Sequence, residues 1–490
     1  MLRAVVGIGI FVLAASDREI GTVQEFWQWV QDTRQQSQEG ETVKLTADLD
    51  FTGALPLGKF GTLVGQTAST SGNPTNVAFK GTFDGQDHVI SHLELYNDGS
   101  SYPDAALFGA LENAVVKNLR FDESCRFFGQ NAAAVAITSK MSTIQNVHNR
   151  AMISARLIGA GLVVEMQGGT MTGSSNNATI MTGTAAETDD TWSAGLVAKV
   201  TTSPTTIQNC ANAGMVVTRY GDVGGIVAAS TAELVITECS NKGLLVSFVY
   251  SQTGEVAAGG CIGRAQGTTT IDKFINGGEV HISASYAQAT DLLAAGGVAG
   301  TIIGAKLWIK NSINAAVVQA DGKNFRIGGI VGTVGDGGTL DLNNVANHGT
   351  VSSETDGNEM VPPGDSKVVA ISDKADLAEY IVNTGSTSET EKPTFFMFAE
   401  NPTSTNDNLY ALAGTVNISG TPNVLEMTKD GNQYLYDGQK VFELLNGGLS
   451  GSEREQWNSD LYLDGVEYQY VWNPEENTDT RRGFEQRDEL

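Results

Sequence analysis

Along most of the chain the apolar residues come in short runs of four or five, rich in Val, Ile and Ala and interrupted by Gly, Asn or Thr every six to eight residues. Such runs are the length and composition of strands, and the interruptions are turn residues. One stretch near the start differs: in TVQEFWQWVQDTRQQSQEG, Val23, Phe26, Trp27 and Val30 fall at helical spacing. Thr22 and Glu25 stand three apart there, as in a capping box, so a helix is expected from about Val23. Behind it, TVKLTADLDF places Val43, Leu45, Leu49 and Phe51 in strand-like alternation, and FKGTFDGQDHVISHLEL reads as β-rich runs parted by the turn FDGQD.

From residue 105 two signatures recur. The first is a Gly-rich apolar strand: AALFG at 105, AGLVV at 160, AGLVA at 194, GGIVA at 224, GGCIG at 259, GGVAG at 296 and GGIVG at 328. The second follows about fifteen residues later and ends on an asparagine: Asn149, Asn176, Asn212, Asn241, Asn276, Asn314, Asn347 and Asn383, spaced by 27, 36, 29, 35, 38, 33 and 36 residues. Variable spacing with constant local frames fits a solenoid, whose coils accept insertions between strands but keep the strands in line. Helical repeats need long apolar faces and little glycine, and a propeller needs four strands per repeat with Trp-Asp-like signals; neither pattern is present. The expected architecture is an all-β solenoid with one coil per repeat and strands stacked about 4.8 Å apart.

The asparagine then has a physical reason. It tolerates a left-handed corner, and its amide can donate to the copy on one side and accept from the copy on the other. Glycine two positions on, as in Asn212-Ala213-Gly214, is expected to allow a sharp bend. Isoleucine or leucine five positions before it (Ile144, Ile207, Ile236, Ile271, Ile309, Leu342) should stack inward. Cys210 and Cys239 share one slot in successive repeats and are expected to stack as buried free thiols rather than a strained disulfide.

GGIVG followed by I-x-N-x-x-N-x-G-x-V resembles the GLUG-type repeat of secreted and surface β-solenoid proteins, adhesin-like proteins among them, over about residues 105 to 385. GTFDGQDHVISHLEL with ALFG and VVKNLRF resembles the segment that precedes such arrays. GAGLVVEM, AAAVAIT and SINAAVV depart from the pattern. The resemblance implies a right-handed parallel β-helix and no single activity. The organisation that follows is a signal peptide at 1–16, a capping helix and lead-in coils at 17–104, repeats at 105–385, and at 386–490 a C-terminal cap or a small β domain. Caps are expected because the ends of a solenoid expose unpaired strand edges.

Charge narrows the functions. Thirty Lys and Arg stand against 56 Asp and Glu, a net charge of −26, which disfavours nucleic acid and anionic membranes. MLRAVVGIGIFVLAAS has the plan of a secretory signal peptide, and no later run reaches the roughly twenty apolar residues of a membrane span. The terminal Arg487-Asp488-Glu489-Leu490 resembles an endoplasmic-reticulum retrieval tetrapeptide, meaningful in a eukaryote. The location is therefore the secretory pathway, either the cell surface and beyond or that lumen. Asn177-Ala-Thr and Asn417-Ile-Ser are glycosylation sequons where the host uses them.

Catalytic chemistry finds little footing. The Gly-His-Gly and Arg-Ile-Lys motifs of polygalacturonases are missing, Asp189-Asp190 falls in an inserted loop, and Asp84 and Asp87 read as solvated turn carboxylates. His88 and His92 sit too far apart along a strand to share a metal, and GDGGTLD at 335 is a single copy of a calcium-roll-like pattern. No cofactor is expected. Tyr220, Tyr250, Tyr286 and Phe325 follow the recurrent asparagine by eight to eleven residues, in loops of growing length. On one edge they would form an aromatic surface for sugar rings or a protein partner. The expected function is a non-catalytic binding, adhesion or structural scaffold; the alternatives are a carbohydrate-active β-helix enzyme, lyase or hydrolase, and a structural protein stacking end to end.

Overall fold

The computed structural model describes residues 17–33, 38–53, 62–64, 77–96, 104–183, 191–219, 221–249, 255–283, 292–321, 325–335, 337–347 and 351–354, and beyond these only short strands as far as residue 486. It is an all-β protein, apart from the helix Val23–Thr33, and its strands as far as Val351–Glu354 pair with one another in parallel from coil to coil as in a β-helix, whereas several short strands beyond pair antiparallel. One coil can stand for the rest. Gly221–Gly224 leads into Val227–Ser230, then Leu234–Thr237, the two-residue strand Ser240–Asn241, and Leu245–Phe248. Each of the five pairs with its counterpart in the next coil, so five stacks run along the molecule: a glycine, a valine, an isoleucine, an asparagine and an exit stack.

The isoleucine stack is continuous from Val43 through Phe83, Val116, Ile144, Met171, Ile207, Ile236, Ile271 and Ile309 to Leu342, in unbroken register. Those from Val43 to Ile309 are fully buried, which makes the aliphatic ladder expected from the sequence the spine of the core. The segments that depart from the repeat pattern keep the same register: Ala136 pairs with Val163, and Asn276 with Asn314.

The asparagine ladder is present. Asn149 donates from Nδ2 to Asn176 Oδ1 at 2.9 Å, and the same bond runs from Asn176 to Asn212 at 2.9 Å, Asn212 to Asn241 at 2.8 Å, Asn241 to Asn276 at 2.9 Å and Asn276 to Asn314 at 2.8 Å. The second amide proton of Asn212 goes to the carbonyl of Gly214 (3.0 Å) and that of Asn241 to Gly243 (3.1 Å). All six side chains are buried, so each amide is satisfied only because its neighbours repeat it. Asn347 continues the backbone register beside Asn314, and Asn383 lies outside the described residues.

Two details differ from expectation. The left-handed corner is not the ladder asparagine but the residue three before it: Asn146, Asn209, Glu238, Lys273 and Asn311 have φ of 52°, 52°, 55°, 56° and 45°. The two asparagines of I-x-N-x-x-N thus do separate work, a left-handed turn and a buried bond. Nor does the following glycine supply a bend. A Cβ on Gly214 or Gly243 would lie 2.0 or 1.9 Å from a carbonyl oxygen of the preceding coil, so glycine is required by close approach.

The helix covers one end of the core. Thr22 Oγ1 accepts from the Glu25 N–H at 3.2 Å, and the Glu25 carboxylate accepts from the Gly21 N–H at 2.9 Å, which is the N-terminal capping arrangement the sequence suggested. Its buried face is Phe26, Trp29, Val30 and Thr33, with Val23 and Trp27 packed at the margin. Trp29, which the spacing did not select, stacks on Phe83 at 5.3 Å between ring centroids, and Phe26 meets Phe51 edge-on at 5.4 Å.

Candidate functional site

Each coil leaves the exit stack and returns through the glycine stack, and both are in register. Met181, Val217, Val246, His281 and Gln319 align on the exit side, and Ser193, Val223, Ala258, Ala295 and Ile327 on the return side. The strand ends that bound the connections are therefore aligned one above another along a single edge. Tyr220, Tyr250 and Tyr286 belong to these connections and lie outside the described residues; Phe325 opens the strand Phe325–Gly328 and pairs with Leu293. The connections do not lengthen steadily, because the one before Phe325, bounded by Val318–Asp321, is shorter than the one between Val280–Ser283 and Leu292–Gly296. Arg487 to Leu490, Asp189, Asp190 and residues 1–16 also lie outside the described residues.

Beside this edge the glycine and valine stacks fold face to face, and small residues make that possible. A Cβ on Gly263 would come within 2.7 Å of the carbonyls of Val223 and Ala228, and one on Gly300 within 2.6 Å of that of Gly263. The seam holds a second, small apolar cluster of Ala106, Ala133, Ile137, Ala160, Val164 and Ala198, edged by Ile158 and Trp192. Lys199 Nζ sits 3.3 Å from the Trp192 ring centroid, a cation over an aromatic face. One coil further, the buried Asp222 receives two bonds from Arg264, from Nε at 2.7 Å and Nη2 at 3.0 Å, and a third from the Ala257 N–H at 2.8 Å. Glu255 lies 3.5 Å from the same guanidinium. Towards the other end, Asp104 accepts from the Asn131 amide at 2.7 Å, and burial raises its carboxyl above the ordinary value. Sequence reasoning missed this row. Its one signal was the alanine or glycine that closes GLVA, GIVA and GCIG.

The carboxylates singled out in the sequence are tied into the frame. Asp84 is buried rather than solvated: burial pushes its pKa up, but bonds from the Gln86 N–H (3.0 Å), the Asn118 amide (3.0 Å) and Lys117 (3.2 Å) hold it below the usual range. Asp87 meets Asn146 at 3.2 Å and Arg120 at 3.7 Å. His88 and His92 do not converge; each pairs through Nδ1 with its own aspartate, Asp48 at 3.0 Å and Asp50 at 2.9 Å. Among the described residues no three His, Cys, Asp or Glu side chains gather as a metal site. Cys125, Cys210, Cys239 and Cys261 are buried free thiols, and burial lifts Cys239 and Cys261 well above the ordinary thiol range. No helix among the described residues is long and apolar enough to cross a membrane.

No known protein family matches the sequence, and no curated protein matches it significantly. Among solved structures the chain is similar to a Bacteroides ovatus protein provisionally named an immunoglobulin A1 protease, with a TM-score of 0.33 and 15% identity over 88% of this chain and 86% of that one. A second, an IgA1 protease, gives a TM-score of 0.32 and 17% identity over 72% of this chain, which spans 21% of that protein's length.

Proposed function

We propose that the protein is a non-catalytic scaffold of the secretory pathway, a right-handed β-solenoid of the GLUG-like kind, that binds glycans in the manner of an adhesin through the connections on its exit edge. The observation that carries this reading is the stacking of every described exit and return strand on one edge. The strand ends that bound these segments lie in a row, about 4.8 Å apart per coil, on a frame held by the asparagine ladder. Aromatic residues recur in those segments, and aromatic faces stack on sugar rings. Asp84, Asp222 and Glu255 are engaged by structural partners, which favours a display role over acid–base chemistry.

The test is a glycan array probed with the wild-type chain and with the double variant Tyr250→Ala/Tyr286→Ala. Loss of binding with unchanged melting supports the reading. Lowered melting with no effect on binding contradicts it, as would new reducing ends or unsaturated products when the protein is incubated with polysaccharides.

A further inference from the structure

The exit stack has an outward face unlike that of the isoleucine stack. One outward row on the isoleucine stack is polar throughout (Gln145, Thr172, Gln208, Thr237, Asp272 and Lys310), and the other is mostly threonine, with Val235 and Trp308. On the exit stack the inward residues Ile180, Val216, Leu245 and Val280 are fully buried, and the residues between them point out. Those outward residues are Ser154, Met181, Val217 and Val246 in one row, which runs on into His281 and Gln319, and Met152, Thr179, Met215 and Leu244 in the next, with Val246 itself nearly buried. Met181 and Met215 are 41% and 38% exposed, two of the three large apolar side chains so exposed among the described residues. A largely apolar sheet face, interrupted by Ser154 and Thr179, on an otherwise acidic surface is the mark of a covered surface.

The charges on this face say what covers it. Arg126 and Arg156 lie towards one end, Arg219 just past the middle, and Glu279 at the other end, in the same row as Arg126. We propose that a second copy of the chain packs here, face to face and antiparallel, about a two-fold axis that runs along the strands between Met181 and Val217. The axis then sets Arg126 opposite Glu279 of the second copy, Met152 opposite its Leu244, Met181 opposite its Val217, Thr179 opposite its Met215 and Ser154 opposite its Val246. Arg156 meets Phe248 of the second copy, a cation against a ring, and Arg219 meets the side-chain-free Gly183. With the coils parallel instead, the facing strands run in reverse, Arg156 falls against Met152 and Arg219 against Met215, and Arg126 and Glu279 stay at opposite ends.

Six coils about 4.8 Å apart and three outward rows about 6.6 Å apart give roughly 550 Å² per copy, or about 1,100 Å² in total, just above the lower bound for a specific interface. The dimer is therefore concentration-dependent. Because the axis lies along the strands, it keeps both exit edges on the same side, so pairing doubles the displayed surface and adds avidity.

Sedimentation equilibrium of the full chain from roughly 1 to 100 μM tests this. The expected result is a monomer–dimer equilibrium that Met181→Lys weakens at least about tenfold without changing the melting temperature. Arg126→Glu and Glu279→Arg should each weaken it by about 0.5–1 kcal/mol, two- to fivefold, and together restore it to near the wild-type constant. A monomer throughout the range, a dimer indifferent to Met181→Lys, or a double reversal weaker than both single variants would each overturn the proposal.

Discussion

Asn209 and Asn212 stand three residues apart in one motif and answer to different physics. Asn209 is exposed at φ 52°, where asparagine and glycine fit and other residues are strained. Asn212 is buried and bonded on both sides. The regular frame of the ladder asparagines, followed by a short β-branched run, made the ladder legible in the sequence. The left-handed position was not separable from it, since both asparagines are corner formers by type and only the coordinates say which backbone is turned. Substitution by glycine distinguishes them. Asn209→Ala should cost about 1 kcal/mol and Asn209→Gly almost nothing. Asn241→Ala should cost about 3 kcal/mol, because it strands the Asn212 amide and the Asn276 carbonyl in the core, and Asn241→Gly should be no better. Equilibrium urea unfolding of the four variants is the check. Lys242, next to the ladder, gives a pH signature: burial pushes its ammonium down to about 7. A base whose folded pKa is depressed contributes stability that is present above its unfolded value, about 10.4, and is lost as pH falls towards 7. Lys242→Met should therefore flatten the decline in melting temperature between pH 10 and pH 7, and an unchanged slope would show that Lys242 does not titrate there.

At the scale of elements, the glycine strand and the asparagine strand are one device. A Cβ on Gly195, Gly225 or Gly260 would lie 2.4 to 2.6 Å from the Cγ of Asn212, Asn241 or Asn276, so the two signatures recur together because they touch inside each coil. Sequence reading found both and missed their contact, since residues that far apart reveal no proximity without the fold. Gly225→Ala should accordingly abolish folding, whereas Gly304→Ala, with open space around it but φ 61°, should cost only about 1 kcal/mol. The helix was legible from Thr22 and Glu25, but its buried face was not, because two tryptophans two residues apart both look apolar and only the aromatic cluster below selects Trp29. Trp29→Ala should lower stability by about 3–5 kcal/mol, read by thermal melting, and Trp27→Ala by clearly less.

At the scale of the whole molecule, a repeated interior fixes where variation can go. Five stacks keep register through the described coils, and insertions are admitted between exit and return strands, which is where the proposed binding surface lies. The seam of Trp192, Asp222 and Arg264 and the exposed methionines stayed hidden in the sequence. An isolated charge or methionine carries no period, and its surface is defined by neighbours one coil away. Frame and edge should then be separable. The most direct test replaces residues 284–291 with a Gly-Ser linker of equal length and measures melting temperature and glycan-array binding on the same preparation. Melting should stay within about 2 °C of wild type, a shift of well under 1 kcal/mol, with binding lost. A substantial fall in melting with binding retained would contradict it.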